Sequence, residues 1–211
     1  MSAHRAVVLL STLALGACAH GQADSGRTFD SAKETTAVTT TAQTGDASQD
    51  SAAINPKLNA EQALLRLLEL IRTSKSAADF TQEQLSKIMG IEIPAYAPGR
   101  YGAGEQLTSD WWYGIDMREN PAQGARFNFS FNTAPGTSPP MTDICQVDFD
   151  QFTAALEEMG FTRQRYYGEH GRFIKDWFER GNMRVEVYPR GEANEPIEKI
   201  SRYCVQMVLI P

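Results

Sequence analysis

The amino-acid sequence predicts an α+β fold: a helical hairpin followed by a largely antiparallel sheet with one packed helix, in the order ααββαββββ. Three observations carry this reading. Two apolar stripes at helical spacing, each preceded by a capping signal, lie in the region 59–90. Segments of period two follow from residue 111, and most of them are separated by turn residues. A third capped stripe interrupts these segments once, between residues 148 and 160.

The first helix spans 60–73. Asn59 and Gln62 suit a capping box, and Leu64, Leu65, Leu67, Leu68 and Ile71 form its stripe. The second spans 82–89, with Thr81 and Gln84 as the box, Phe80 and Leu85 as a hydrophobic staple, and Gly90 as the stop. Pro94–Thr108 is rich in Gly, Pro and Tyr and reads as a loop.

Strands come next. Trp111, Tyr113, Ile115 and Met117 alternate with Trp112, Gly114, Asp116 and Arg118. After a turn at Glu119–Gly124, Ala125, Phe127, Phe129 and Phe131 alternate with Arg126, Asn128, Ser130 and Asn132. Prolines break the chain in Thr133–Thr142. Asp148 and Gln151 then cap a third helix with the apolar face Phe149, Phe152, Leu156 and Met159, ended by Gly160. Strands are expected at 162–167, 172–180, 183–189 and 202–210, with Gly181-Asn182 as a two-residue hairpin turn. In the last of them Tyr203, Val205, Met207 and Leu209 are expected to share a face.

The N-terminal 56 residues read differently. Arg5 precedes Ala6–Leu15, an apolar run of 10 residues that is too short to span a bilayer and suits an export signal. Leu15-Gly16-Ala17-Cys18 resembles the lipobox of bacterial lipoproteins. That resemblance implies a signal peptide at 1–17, lipidation of Cys18, and a periplasm-facing protein held in the membrane by its acyl chains. Ala19, where Asp would imply inner-membrane retention, favours the outer membrane. Between residues 21 and 55, 11 of 35 residues are Ser or Thr, and only Phe29, Val38 and Ile54 are large and apolar. Residues 18–56 are therefore expected to be a lipidated, disordered tether, and 57–211 a single domain.

Three cysteines are an odd count for an exported chain. Giving Cys18 to lipid leaves Cys145 and Cys204 for a disulfide, worth about 4 kcal/mol through the loop it closes. The alternative is two separate buried thiols.

Chemistry is sparse. The net charge of −6 argues against a nucleic-acid partner, and the only histidines are His4, His20 and His170. No hydrolase motif, nucleotide loop or metal-ligand spacing occurs, so neither an enzyme, a cofactor nor a metal is expected. Asp110 and Asp116 beside Trp111, Trp112 and Tyr113 are the least implausible carboxylate pair for glycoside hydrolysis. The acidic residues Asp143, Asp148 and Asp150 leave a calcium site open. Gly99–Gly104 reads as a flexible loop.

The segment Arg163–Arg190 has seven basic and four acidic residues interleaved with Tyr166, Tyr167, Trp177, Phe178 and Tyr188. Arg, Tyr and Trp are enriched at interface hot spots, so the segment suits a protein-binding surface; a solvated sheet face is the plainer alternative. Expected contact residues are Tyr96, Tyr101, Trp111, Trp112, Tyr166, Tyr167 and Arg172. In layout the chain resembles lipoprotein immunity proteins, which neutralise cell-wall or lipid hydrolases delivered by rival bacteria. The resemblance implies a secreted toxin or hydrolase as protein partner. The other function expected is a structural lipoprotein for envelope assembly or maintenance.

Overall fold

Polar side chains at the helix ends set where the helices begin. In a computed structural model describing residues 54–191 and 202–211, Asn59 accepts from the backbone N–H of Gln62 at 2.8 Å, and the Gln62 side chain accepts from the N–H of Asn59. This full capping box starts α1 (Ala60–Thr73). Thr81 caps α2 (Gln82–Met89) from one side only, because the Gln84 side chain donates instead to Ser74 Oγ at 3.1 Å. Asp148 and Gln151 cap α3 (Phe149–Glu158) reciprocally, at 2.8 and 2.9 Å. The expected leader 1–17, the lipidated Cys18 and the tether as far as residue 53 lie outside the described residues.

Eight strands form one wholly antiparallel sheet. They are β1 (Ala95–Ala97), β2 (Arg100–Gln106), β3 (Trp111–Asn120), β4 (Gly124–Thr133), β5 (Thr162–Tyr167), β6 (Phe173–Arg180), β7 (Met183–Arg190) and β8 (Cys204–Ile210). Their order is β1-β2-β3-β4-β8-β7-β6-β5. Each half is thus a four-stranded meander with helix ahead of it, and β4 meets β8 in the middle.

The α+β class, the helical hairpin and the third helix stand as the sequence predicts. Pro94–Thr108, however, is not a loop: it folds into β1 and β2. Glycines hide this hairpin from pattern reading. A Cβ on Gly102 would lie 2.3 Å from the Ile115 carbonyl oxygen, and one on Gly104 would lie 2.8 Å from that of Tyr113. Only glycine lets β2 approach β3 so closely, and glycine carries no side chain to display a period of two.

All three helices lie on one side of the sheet. Arg180 shows how. It donates to the carbonyls of Ile71 and Ser74 at the end of α1 (3.0 and 2.9 Å) and to Met159 at the end of α3 (3.2 Å), with its guanidinium over the Phe161 ring. One side chain thereby satisfies carbonyls that two helix ends leave open. Beneath the helices, Tyr113, Met117, Phe127, Phe129, Phe131, Phe178, Val185, Val187, Val208 and Ile210 are buried. Phe80 meets Phe127 edge-on at 5.0 Å, so the turn before α2 is anchored to the sheet. Leu65, expected in the stripe of α1, is half exposed; Ala60, Ala63 and Leu70 are buried in its helix instead.

Two further expectations are corrected. In β8 the buried residues are Cys204, Val205, Val208 and Ile210, while Met207 and Leu209 face away from the helices. A register shift opposite Tyr188 and Pro189 breaks the alternation, and both parities of this strand are apolar, so periodicity could not separate them. The basic segment Arg163–Arg190 is likewise not one surface. Arg163 and Arg165 turn to the helix side and bind the fully buried Asp176 at 2.7 and 3.0 Å. Arg190 lies over the ring of Trp111.

Cys145 and Cys204 are joined by a disulfide, with Cα atoms 5.3 Å apart. It ties the start of β8 to the approach to α3. Around it Phe149 N–H donates to Tyr203 O at 2.9 Å, and Arg202 pairs with Asp148 at 3.0 Å.

Candidate functional site

Among the described residues nothing from the helices covers the second face of the sheet. Its composition follows from strand parity: every residue opposite in parity to the core points there. One cross-strand row runs Gly102, Asp116, Asn128, Leu209, Glu186, Trp177, Gln164. Two clusters of side chains and a depression between them give the face its chemistry.

The first cluster belongs to β5, β6 and β7. Tyr166 stacks on Trp177 with ring centroids 6.2 Å apart and planes at 20°, and the Arg184 guanidinium lies 4.3 Å from the Trp177 centroid. Beside this ladder Lys175 Nζ is 2.6 Å from Glu186 Oε2 and donates to Tyr188 OH at 3.1 Å. Tyr188 OH in turn donates to Glu186 at 2.9 Å, and Arg184 reaches the other carboxylate oxygen at 3.3 Å. Glu186 is 7% exposed. Burial opposes its charge, but the bonds from Lys175 and Tyr188 outweigh burial and hold the carboxyl below its usual range. For Lys175 burial again opposes the charge, and the same two partners raise its affinity for the proton. The cluster is a rigid, ionised network with an aromatic edge.

The second cluster belongs to β1–β4. Tyr96 OH donates to Asp116, Arg118 Nε donates to the other oxygen of Asp116 at 2.6 Å, and Arg100 lies over the Tyr96 ring. Burial pushes the Asp116 carboxyl up, but Tyr96 and Arg118 overcome it and hold the group ionised to lower pH than usual. Between the clusters Met207, Leu209 and Asn128 line a depression of about 320 Å³, rimmed by Asp116, Arg118, Arg126 and Tyr188. Asn128 Oδ1 and Trp177 Nε1 are buried without a hydrogen-bond partner among the described residues. Polar atoms left in that condition cost free energy that a bound group can recover.

The seven expected contact residues divide. Tyr96, Trp112 and Tyr166 lie on the open face. Tyr167 follows a register shift in β5 and packs toward Phe173 on the helix side, and Arg172 is exposed in the turn before β6. Tyr101 and Trp111 are corrections. Tyr101 is 5% exposed and donates to Phe80 O at 2.7 Å, while Trp111 is fully buried and donates to Pro140 O at 3.1 Å. Both rings pack in the core and are closed to a partner. Sequence reasoning left Lys175, Trp177, Arg184, Glu186 and Tyr188 off the contact residues. The signal was present: each is opposite in parity to Phe178, Val185 or Val187 on its own strand.

The Asp110–Asp116 pair is spread along a strand, and Asp148 is committed to other partners. Asp110 precedes β3 and Asp116 lies six residues on, about 20 Å along an extended strand, too far for the paired carboxylates of a glycosidase. Asp148 uses one oxygen to cap α3 and the other on Arg202. Among the described residues no group of three or more His, Cys, Asp or Glu is placed to hold a metal. His170 sits at positive φ in the exposed turn Glu169–Gly171.

Compared with protein-family models, curated proteins and solved structures, the chain matches none of them.

Proposed function

We propose that this chain is a lipid-anchored, periplasm-facing binding protein whose open sheet face grips a protein partner, and that the partner is a secreted hydrolase which it inhibits. The observation that carries the reading is the Tyr166–Trp177–Arg184 ladder, set in the Lys175–Glu186–Tyr188 network on a face that no helix covers among the described residues. Aromatic and arginine side chains already held in place lose little conformational freedom when a partner seats on them, which is how a few residues come to dominate an interface. The carboxylates on this face are held ionised beside cations, a state suited to interface ion pairs.

The lipobox residues Leu15–Cys18 supply the anchoring half of the proposal, and the disulfide agrees with an oxidising compartment. The test is co-expression of the full chain with the exported cell-wall or lipid hydrolase encoded beside it. Protection is expected from the native chain and is expected to be lost when Trp177 and Arg184 are both replaced by Ala. A double variant that protects as well as the native chain removes the open face from the reading. Envelope weakening on deletion, with no hydrolase present, would point to the structural role instead.

A further inference from the structure

At one end of the open face, three arginines occupy a single cross-strand row: Arg100 of β2 is opposite Arg118 of β3, which is opposite Arg126 of β4. Like charges placed directly opposite on a sheet destabilise it, so such a row is costly unless something offsets it. The chain offers little in return. Asp116 binds Arg118 at 2.6 Å, and Glu119 Oε1 lies 2.9 Å from the Tyr101 hydroxyl, whose one proton it shares with Phe80 O. Arg100 and Arg126 have no hydrogen bond or ion pair among the described residues, and the Nε of Arg100 is buried without a partner. All three arginines line one depression of about 460 Å³, together with Pro98, Gln123 and one carboxylate, Glu119, so the cations there outnumber the acid three to one.

We propose that this row binds a phosphate-class oxyanion, either as free inorganic phosphate or as the phosphate of a lipid headgroup. The guanidinium fork matches the oxygens of a tetrahedral oxyanion, and among the described residues two of the three forks have no carboxylate paired to them, Arg100 being stacked on Tyr96. A dianion would also neutralise the repulsion that the strand register imposes. A carboxylate carries one charge and two oxygens, and leaves that repulsion only partly offset. The inference differs from the partner-binding proposal in its ligand class and in its residues: that proposal is carried by Tyr166, Trp177 and Arg184, and this one by the arginine row, although both lie on the open face.

The test uses the full chain at constant ionic strength, titrated calorimetrically with sodium phosphate and separately with a water-soluble short-chain phosphatidic acid below its aggregation concentration. Saturable binding of at least one ligand is expected, weakened tenfold or more in Arg126→Gln and in Arg100→Gln, which act on separate strands. Arg72→Gln, at the exposed end of α1, should bind as the native chain does. The ligand should raise the melting temperature of the native chain and leave that of Arg126→Gln unmoved. Saturation by phosphate identifies a free anion as sufficient; saturation by the phosphatidic acid alone identifies the headgroup. Failure of both ligands to saturate at about 10 mM, or equal binding by Arg126→Gln and the native chain, overturns the proposal.

Discussion

Two neighbouring rows of residues cross the same seven strands one position apart. Toward the helices run Ala103, Ile115, Phe129, Val208, Val187, Asp176 and Arg165. Toward the open side run Gly102, Asp116, Asn128, Leu209, Glu186, Trp177 and Gln164. The backbone ladder is common to both, so the difference is all side chain. The first row is apolar until it reaches the Asp176–Arg165 pair near the sheet edge, and its composition is what burial demands. The second mixes glycine, two carboxylates, two amides, leucine and tryptophan. Solvation alone does not call for Leu209 or Trp177 on an uncovered face, and a stable core does not call for Glu186 in a buried network. The proposed contact with a partner would account for both.

Substitutions that strike one row at a time sharpen this contrast. The largest expected effect is on the covered side. Phe129 is fully buried, edge-on to Phe131 at 5.1 Å and stacked near Tyr113, so Phe129→Ala should cost about 3–5 kcal/mol in urea unfolding. A loss below about 1 kcal/mol would mean that this face is not the core. Next comes Arg180→Met, which keeps the bulk and removes the donors to Ile71, Ser74 and Met159; about 2 kcal/mol should be lost, and amide exchange should quicken at the ends of both α1 and α3.

On the open side Trp177→Ala should change stability by only about 1 kcal/mol, yet weaken binding of the proposed hydrolase partner by about 2 kcal/mol or more. Equal losses in stability and affinity would place Trp177 in the fold and not in an interface.

The smallest effect is with pH. The carboxyls of Glu186 and Asp116 lie lower in the folded chain than in the unfolded one. Between those values the unfolded state binds more protons, so their stabilisation is complete above about pH 5 and declines as pH falls through the folded values. Urea midpoints from pH 6 to pH 3 should fall, and Glu186→Gln should flatten that fall. An unchanged slope would deny the network its electrostatic role.

How far the sequence foretold this depends on what each element displays. Helices were legible because their caps are local: Asn59 with Gln62 and Asp148 with Gln151 make their bonds within four residues. Strands β3 and β4 were legible because Phe127, Phe129 and Phe131 alternate with polar partners. The β1–β2 hairpin was not, since Gly102 and Gly104 are there for close approach to β3 and leave no pattern. The parity of β8 failed for the opposite reason: Val205, Met207, Val208, Leu209 and Ile210 are apolar at both parities, and the register shift is visible only in its pairing with β7. For the candidate site, residue types pointed in the right direction and burial did the sorting. Tyr101 and Trp111 resemble interface anchors in sequence. The parity that Trp111 shares with Tyr113, Ile115 and Met117 already pointed inward, whereas Tyr101 lies in the glycine-rich β2, where only its burial and its bond to the Phe80 carbonyl show that it belongs to the interior.

The strand that closes the sheet's centre, β8, follows all seven of the others in chain order. Until it docks, β4 and β7 each present an unsatisfied backbone edge, and the two meanders share no ladder. Acquisition of the native state therefore waits on a long-range encounter, the kind that makes β-rich chains slow to mature and leaves them open to misassembly meanwhile. The Cys145–Cys204 bond holds that keystone strand in reach once it has arrived, so oxidation should lengthen the lifetime of the finished molecule more than it hastens its making.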